Sequence, residues 1–70
     1  MQKIARYISF SSGIVRPMFS KSVEEQIEEA ISRCDNMNQE ANLLDEKYKV
    51  LAKVKFTPGA MNGYTVCKPE

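Results

Sequence analysis

Histidine and tryptophan are both absent from the 70 residues, cysteine occurs twice, and glycine and proline three times each. Each scarcity removes a class of chemistry. Without histidine, one chain cannot assemble a Ser-His-Asp or Cys-His nucleophile, an imidazole general base or a His-ligated zinc. Cys34 and Cys67 lie far apart with no C-x-x-C spacing, too few for a zinc site and unlike the disulfide framework of a secreted miniprotein. They read as a small buried hydrophobe on a helix and a strand residue. A Cys34–Cys67 disulfide stays open but would require an oxidising compartment. No P-loop, G-x-G-x-x-G or EF-hand spacing occurs, and Gly59 and Gly63 stand in turn contexts. Long apolar runs are missing too. The opening MQKIARYISF holds none long enough for a signal peptide, and no stretch approaches the roughly 20 apolar residues of a membrane span. The expected location is cytoplasmic.

What remains is a chain with 43% hydrophobic and 9% aromatic residues, within the globular range. Residues 1–70 read as a single domain. A chain this short buries only about 60% of the surface its unfolded form exposes, so its core leaves no room for a large preorganised pocket. A surface role follows, and homodimerisation is a natural way to add buried area. No cofactor is expected.

The net charge of +1 conceals a segregation. Residues 1–21 carry Lys3, Arg6, Arg16 and Lys21 with no acid. Residues 22–46 carry eight acids against Arg33 alone, and residues 47–70 carry five lysines against Glu70. The three blocks thus stand at +4, −7 and +4.

Each block has its own periodicity. Ser22-Val23-Glu24-Glu25 reads as a capping box that starts a helix, with Glu24 and Glu25 at the positive end of its dipole. Val23, Ile27, Ala30, Cys34, Met37, Ala41 and Leu44 then recur at spacings of four and three, with Ile31 widening the stripe. Asp35, Asn36, Asn38 and Asn42 favour a break, so the helix is expected from Ser22 to about Glu40, frayed or kinked, with a linking segment up to Lys47. Lys49 to Phe56 reads as a strand, its apolar side Val50, Ala52, Val54 and Phe56, its polar side Lys49, Lys53 and Lys55 interrupted by Leu51. Ile4 to Phe10, Ile14 to Phe19 and Tyr64 to Lys68 complete the strands, Pro17 suggesting an edge. The expected fold is α+β: a small antiparallel sheet with one main helix packed on one face, in the order β-β-α-β-β. That helix should bury Val23, Ile27, Ile31 and Cys34 against Ile4, Ile8, Val54 and Phe56. The alternative continues the four-three pattern through Tyr48 and Leu51 into a long-helix coiled-coil dimer.

Two surfaces follow. Lys49, Lys53 and Lys55, with Tyr7 and Lys3 beside them, would form a basic open sheet face, suited to phosphates and base stacking or simply to protecting an edge. Glu24, Glu25, Glu28 and Glu29, with Gln26 and Gln39 near them, would form an acidic helix exterior suited to a basic protein groove, or merely solvated. These carboxylates are not a catalytic pair, because an exposed helix turn leaves them solvated, and the chain is not expected to be an enzyme.

Met18-Phe19-Ser20-Lys21-Ser22-Val23 leading into a helix, followed by a lysine-bearing strand and the terminal Val66-Cys67-Lys68, resembles the layout of the Dmd family of small antitoxins of T-even bacteriophages. The shared strings cover about a fifth of the chain, and no binding residue carries over from them. The resemblance implies a phage-encoded inhibitor in the bacterial host cytoplasm. The expected function is therefore that of a small non-enzymatic regulatory or inhibitory protein. It would bind a larger protein such as a toxin, a nuclease or a host or defence factor, through the acidic helix or an exposed sheet edge. The alternatives are nucleic-acid binding by the lysine face and, in a dimer, a cleft that binds a phosphorylated small molecule.

Overall fold

The computed structural model describes residues 4–68. Lys3 lies outside them. The chain forms β1 (Tyr7–Phe10), β2 (Val15–Pro17), α1 (Val23–Met37), β3 (Ala41–Leu44), β4 (Val50–Phe56) and β5 (Tyr64–Cys67). All pairings are antiparallel and the sheet order is β2-β1-β3-β4-β5. The fold is α+β, with α1 between the second and third strands and a short 3-10 turn at Met61–Gly63 before β5.

The helix begins where the sequence places it. Ser22 is extended and its hydroxyl accepts from the Glu25 N–H at 3.2 Å. The reciprocal arm of the box is displaced by one residue, since the Glu25 carboxylate accepts from the Lys21 N–H at 3.0 Å instead of that of Ser22. The exit differs from expectation. Asn38 enters the left-handed region at φ 55°, its N–H bonds to the Asp35 carbonyl, and the Gln39 N–H bonds to the Cys34 carbonyl. This closes the helix in a Schellman arrangement with asparagine in the glycine position, which rules out both a helix to Glu40 and the long coiled-coil helix.

The segment expected to link helix and strand instead forms β3, the central strand, bonded to β1 and β4. Ala41 and Leu44 fit the helical spacing by coincidence. Four residues are too few to show a period of their own.

The buried cluster joins Ile8, Phe10, Ala41, Leu43, Val54 and Tyr64 of the sheet to Ala30 and Cys34 of the helix, with Ala5 and Met18 completing it. The expected apolar set is only partly right. Cys34, Ile8 and Val54 are deep, but Ile27 is 37% exposed and Phe56 57% exposed, while Val23, Ile31 and Ile4 are half-buried. Gln26 explains the rotation. Its side chain is buried and its Oε1 accepts from the backbone N–H of buried Ala5, so the inward line of α1 runs Gln26, Ala30, Cys34 and displaces Ile27 to the flank.

The register of β4 also departs from strict alternation. Leu43 pairs with Ala52 but Leu44 with Val50, leaving Leu51 as an extra residue in a β-bulge. Leu51 thereby packs on the core, which accounts for an apolar residue among lysines.

Replacing Gln26 by Leu orphans the Ala5 N–H in the interior and should cost about 1–3 kcal/mol, measurable by urea unfolding. A neutral effect would show that the bond is not what sets the rotation of the helix.

Candidate functional site

The outer side of α1 carries Glu24, Glu25, Glu28 and Asp35, all exposed. At 100° per residue Glu24, Glu28 and Asp35 form one strip along the helix, so Asp35, near the helix end, belongs to the acidic surface as well. Glu29 does not belong with them. It is half-buried, accepts from the Ser20 hydroxyl and pairs with Arg33 at 2.7 Å, which neutralises it locally. Beside the acidic strip runs the partly exposed apolar line Val23, Ile27, Ile31.

On the sheet, register divides the side chains into two faces. Ile8, Leu43 and Ala52 share the core face, as do Phe10, Ala41, Val54 and Val66. On the second face one row runs Pro17, Tyr7, Leu44, Val50, and the next runs Val15, Ser9, Asn42, Lys53, Cys67. Lys55 follows opposite Thr65. Of the three lysines expected together, Lys53 and Lys55 do lie on Tyr7's face. Lys49 does not join that row, because the bulge puts Val50 there in its place.

A depression of about 210 Å³ lies on this side, lined among others by Ser9, Glu40, Asn42, Lys53 and Lys55. The Glu40 carboxylate accepts from the Phe56 N–H at 2.8 Å, standing in for the backbone carbonyl that a longer β3 would offer. Gln39 ties the helix exit to the β1–β2 turn, its Oε1 accepting from the Ser12 N–H at 3.0 Å.

The β3–β4 turn supplies a residue that sequence reasoning missed. Buried Asp45 accepts at one carboxylate oxygen from the Lys47 and Lys49 N–H groups at 2.8 and 2.9 Å, and its carbonyl accepts from the Tyr48 N–H. This forces Tyr48 to φ 65°, a conformation usually left to glycine or asparagine. Its ring stacks on Tyr7 with centroids 4.8 Å apart and planes 18° from parallel, and the residue is 62% exposed. A hydrogen bond with Tyr7 foremost, then the Tyr7 charge and burial, raise the Tyr48 hydroxyl above its ordinary pKa. Aspartate at the head of a short polar stretch was the available sequence signal for the turn, but nothing in it marks an aromatic as the left-handed residue.

Strand β2 is one edge of the sheet. The bonds from Phe10 N–H to the Ile14 carbonyl and from Met18 N–H to that of Arg6 leave Val15 and Pro17 directed away from β1. Proline at that place removes a donor from the free edge and blunts strand addition.

Both cysteines are free, Cys34 in the core cluster and Cys67 opposite Lys53 on the second face, so the disulfide left open by the sequence does not form. Burial, and after it the Glu40 charge, pushes the Cys34 thiol up to about 11. Burial likewise raises the Tyr64 hydroxyl, with smaller contributions from Cys34, Asp35 and Glu40.

Among the described residues, no three of His, Cys, Asp and Glu gather to hold a metal ion, and no helix is long and apolar enough to cross a membrane. No protein-family model, curated protein or solved structure matches the chain.

In native protein a thiol reagent should label Cys67 and spare Cys34 until the chain is unfolded, as mass spectrometry of labelled peptides would show. Because the folded Cys34 pKa lies above its ordinary 9.0, its contribution to stability is complete below that pH and is lost as pH climbs toward 11. The Tm should therefore fall over that window, and less steeply in Cys34→Ala. Restoring the edge donor with Pro17→Val should produce concentration-dependent association in sedimentation experiments where the parent shows less.

Proposed function

We propose that the chain is a small non-enzymatic regulatory or inhibitory protein that acts in the cytoplasm by stoichiometric binding to a larger protein. In this reading α1 lies over the Ile8, Leu43 and Val54 face of the sheet and turns its outer side to the partner. The observation that carries it is the pairing of two parallel strips on α1. Glu24, Glu28 and Asp35 are exposed and acidic, and the adjoining Val23, Ile27 and Ile31 are only partly covered by the protein itself. The rotation set by Gln26 brings Ile27, 37% exposed, to the border of the acids. Partly exposed aliphatic groups bordered by charge are the composition of an interface, with an apolar centre and a polar rim.

The charge specifies the partner's chemistry. An acidic helix of 15 residues, about 22 Å long, fits a basic groove with an apolar wall, such as the substrate cleft of a nuclease or of a toxin that acts on nucleic acid. Attraction between the two would raise the association rate, and the same acids would repel nucleic acid from this surface. The phage antitoxin layout that the sequence resembles is of this stoichiometric kind.

Tagged protein passed through nuclease-treated lysate of its native cells should retain a basic partner that Glu24→Gln, Glu25→Gln and Glu28→Gln together release at the same salt. Salt dependence of the remaining affinity should fall in the triple variant. Retention unaffected by the three changes would exclude the helix surface.

A further inference from the structure

The left-handed tyrosine is not required by the turn that contains it. Glycine takes φ 65° without steric cost, and the hydrogen bonds of the turn come from the backbone and from Asp45. What Tyr48 adds is its ring, laid against Tyr7 on one side and open to solvent on the other. A residue held in a left-handed conformation that the turn does not demand of an aromatic, with one ring face turned outward, is placed to present that face.

Its surroundings state what it presents to. On the same sheet face Lys53 lies in the row next to that of Tyr7, with Ser9 and Asn42 between them and Lys55 further along β4. Successive same-face positions on a strand are about 7 Å apart, a separation that one nucleotide spans. The depression begins at Ser9, the next same-face position after Tyr7 on β1, is lined among others by Ser9, Asn42, Lys53 and Glu40, and offers a hydroxyl, an amide and an ammonium group. The Glu40 carboxylate is already engaged as the acceptor of the Phe56 N–H. Lysine at the middle of the surface argues against a protein occupant, since lysine is depleted from the centres of protein interfaces.

We propose that this face binds single-stranded nucleic acid without sequence preference. A base stacks on the outer side of Tyr48, and the adjoining phosphates follow Lys53 toward Lys55. A duplex does not satisfy the site, because its bases are already stacked on one another. This surface is separate from the acidic exterior of α1 and does not depend on it.

The test is fluorescence anisotropy at low salt with labelled oligo(U) and oligo(dT) of about ten nucleotides, and with a duplex of equal length. Single strands should bind more tightly than the duplex. Tyr48→Gly, which keeps the turn because glycine accepts its geometry, should weaken binding by about fivefold or more, whereas Tyr48→Phe should retain it. Lys53→Gln should lower the slope of log affinity against log salt by about 0.7. The Glu24→Gln, Glu25→Gln, Glu28→Gln variant should bind at least as well as the parent. Absence of binding at low salt, equal affinity for duplex, or unchanged affinity in Tyr48→Gly would each overturn the proposal.

Discussion

One extra residue in β4 decides which side chains this small sheet shows to solvent. Side chains on a strand alternate with a period of two, so inserting Leu51 between the partners of Leu43 and Leu44 reverses every position before it relative to those after. Leu51 turns to the core, Val50 joins the row of Tyr7 and Leu44, and Lys49 falls out of phase with Lys53 and Lys55. The bulge also lies immediately after the Asp45 turn. The same short stretch thus aims Tyr48 across the sheet at Tyr7 and sets the lysines one row away.

The helix shows a comparable dependence on a single side chain. A buried glutamine is expensive unless its polar atoms are partnered, and Gln26 is partnered by the N–H of Ala5, which precedes β1. Alanines at 5, 30 and 41 belong to the cluster around it and let backbones approach closely. With Gln26 inward, the apolar residues that a hydrophobic stripe would centre on the core are shifted sideways. Ile27 ends at the border of the acidic strip because the rotation leaves it no deeper place.

The legible and illegible parts of the chain divide along these two features. Ser22 and Glu25 announced the helix start because capping is local chemistry read from four consecutive residues. The alternation of Val54 and Phe56 with Lys53 and Lys55, and the turn contexts of Gly59 and Gly63, were legible for the same reason. The central strand was not. Ala41 to Leu44 is short, buried on most sides and in phase with the preceding helix, so its pairing partners, which lie at a distance in sequence, determine its state. The inward glutamine was hidden because a hydrophobic pattern assigns polar residues to solvent. Exposure of Glu24, Glu25 and Glu28 followed from the helix, but the removal of Glu29 by Ser20 and Arg33 required tertiary placement.

The near-zero net charge is the joint product of these placements. The acids of residues 22–46 are not all on one surface: Asp45 is consumed in holding the turn, Glu40 completes the ladder at Phe56, and Glu29 is paired. Glu46 is exposed in the β3–β4 turn, and Glu24, Glu25, Glu28 and Asp35 remain exposed on α1, whose outer side carries a net negative field. The lysines of residues 47–70 are divided in the same way by the bulge, and Lys53 stands on the face opposite the core with the two tyrosines. Solvent-exposed charges separated by more than a Debye length of about 8 Å are largely screened from one another at physiological salt, and the acids of α1 and the lysines of β4 stand on different elements. Each surface therefore acts on its surroundings with its own sign, and the overall charge of the chain says nothing about what either surface attracts.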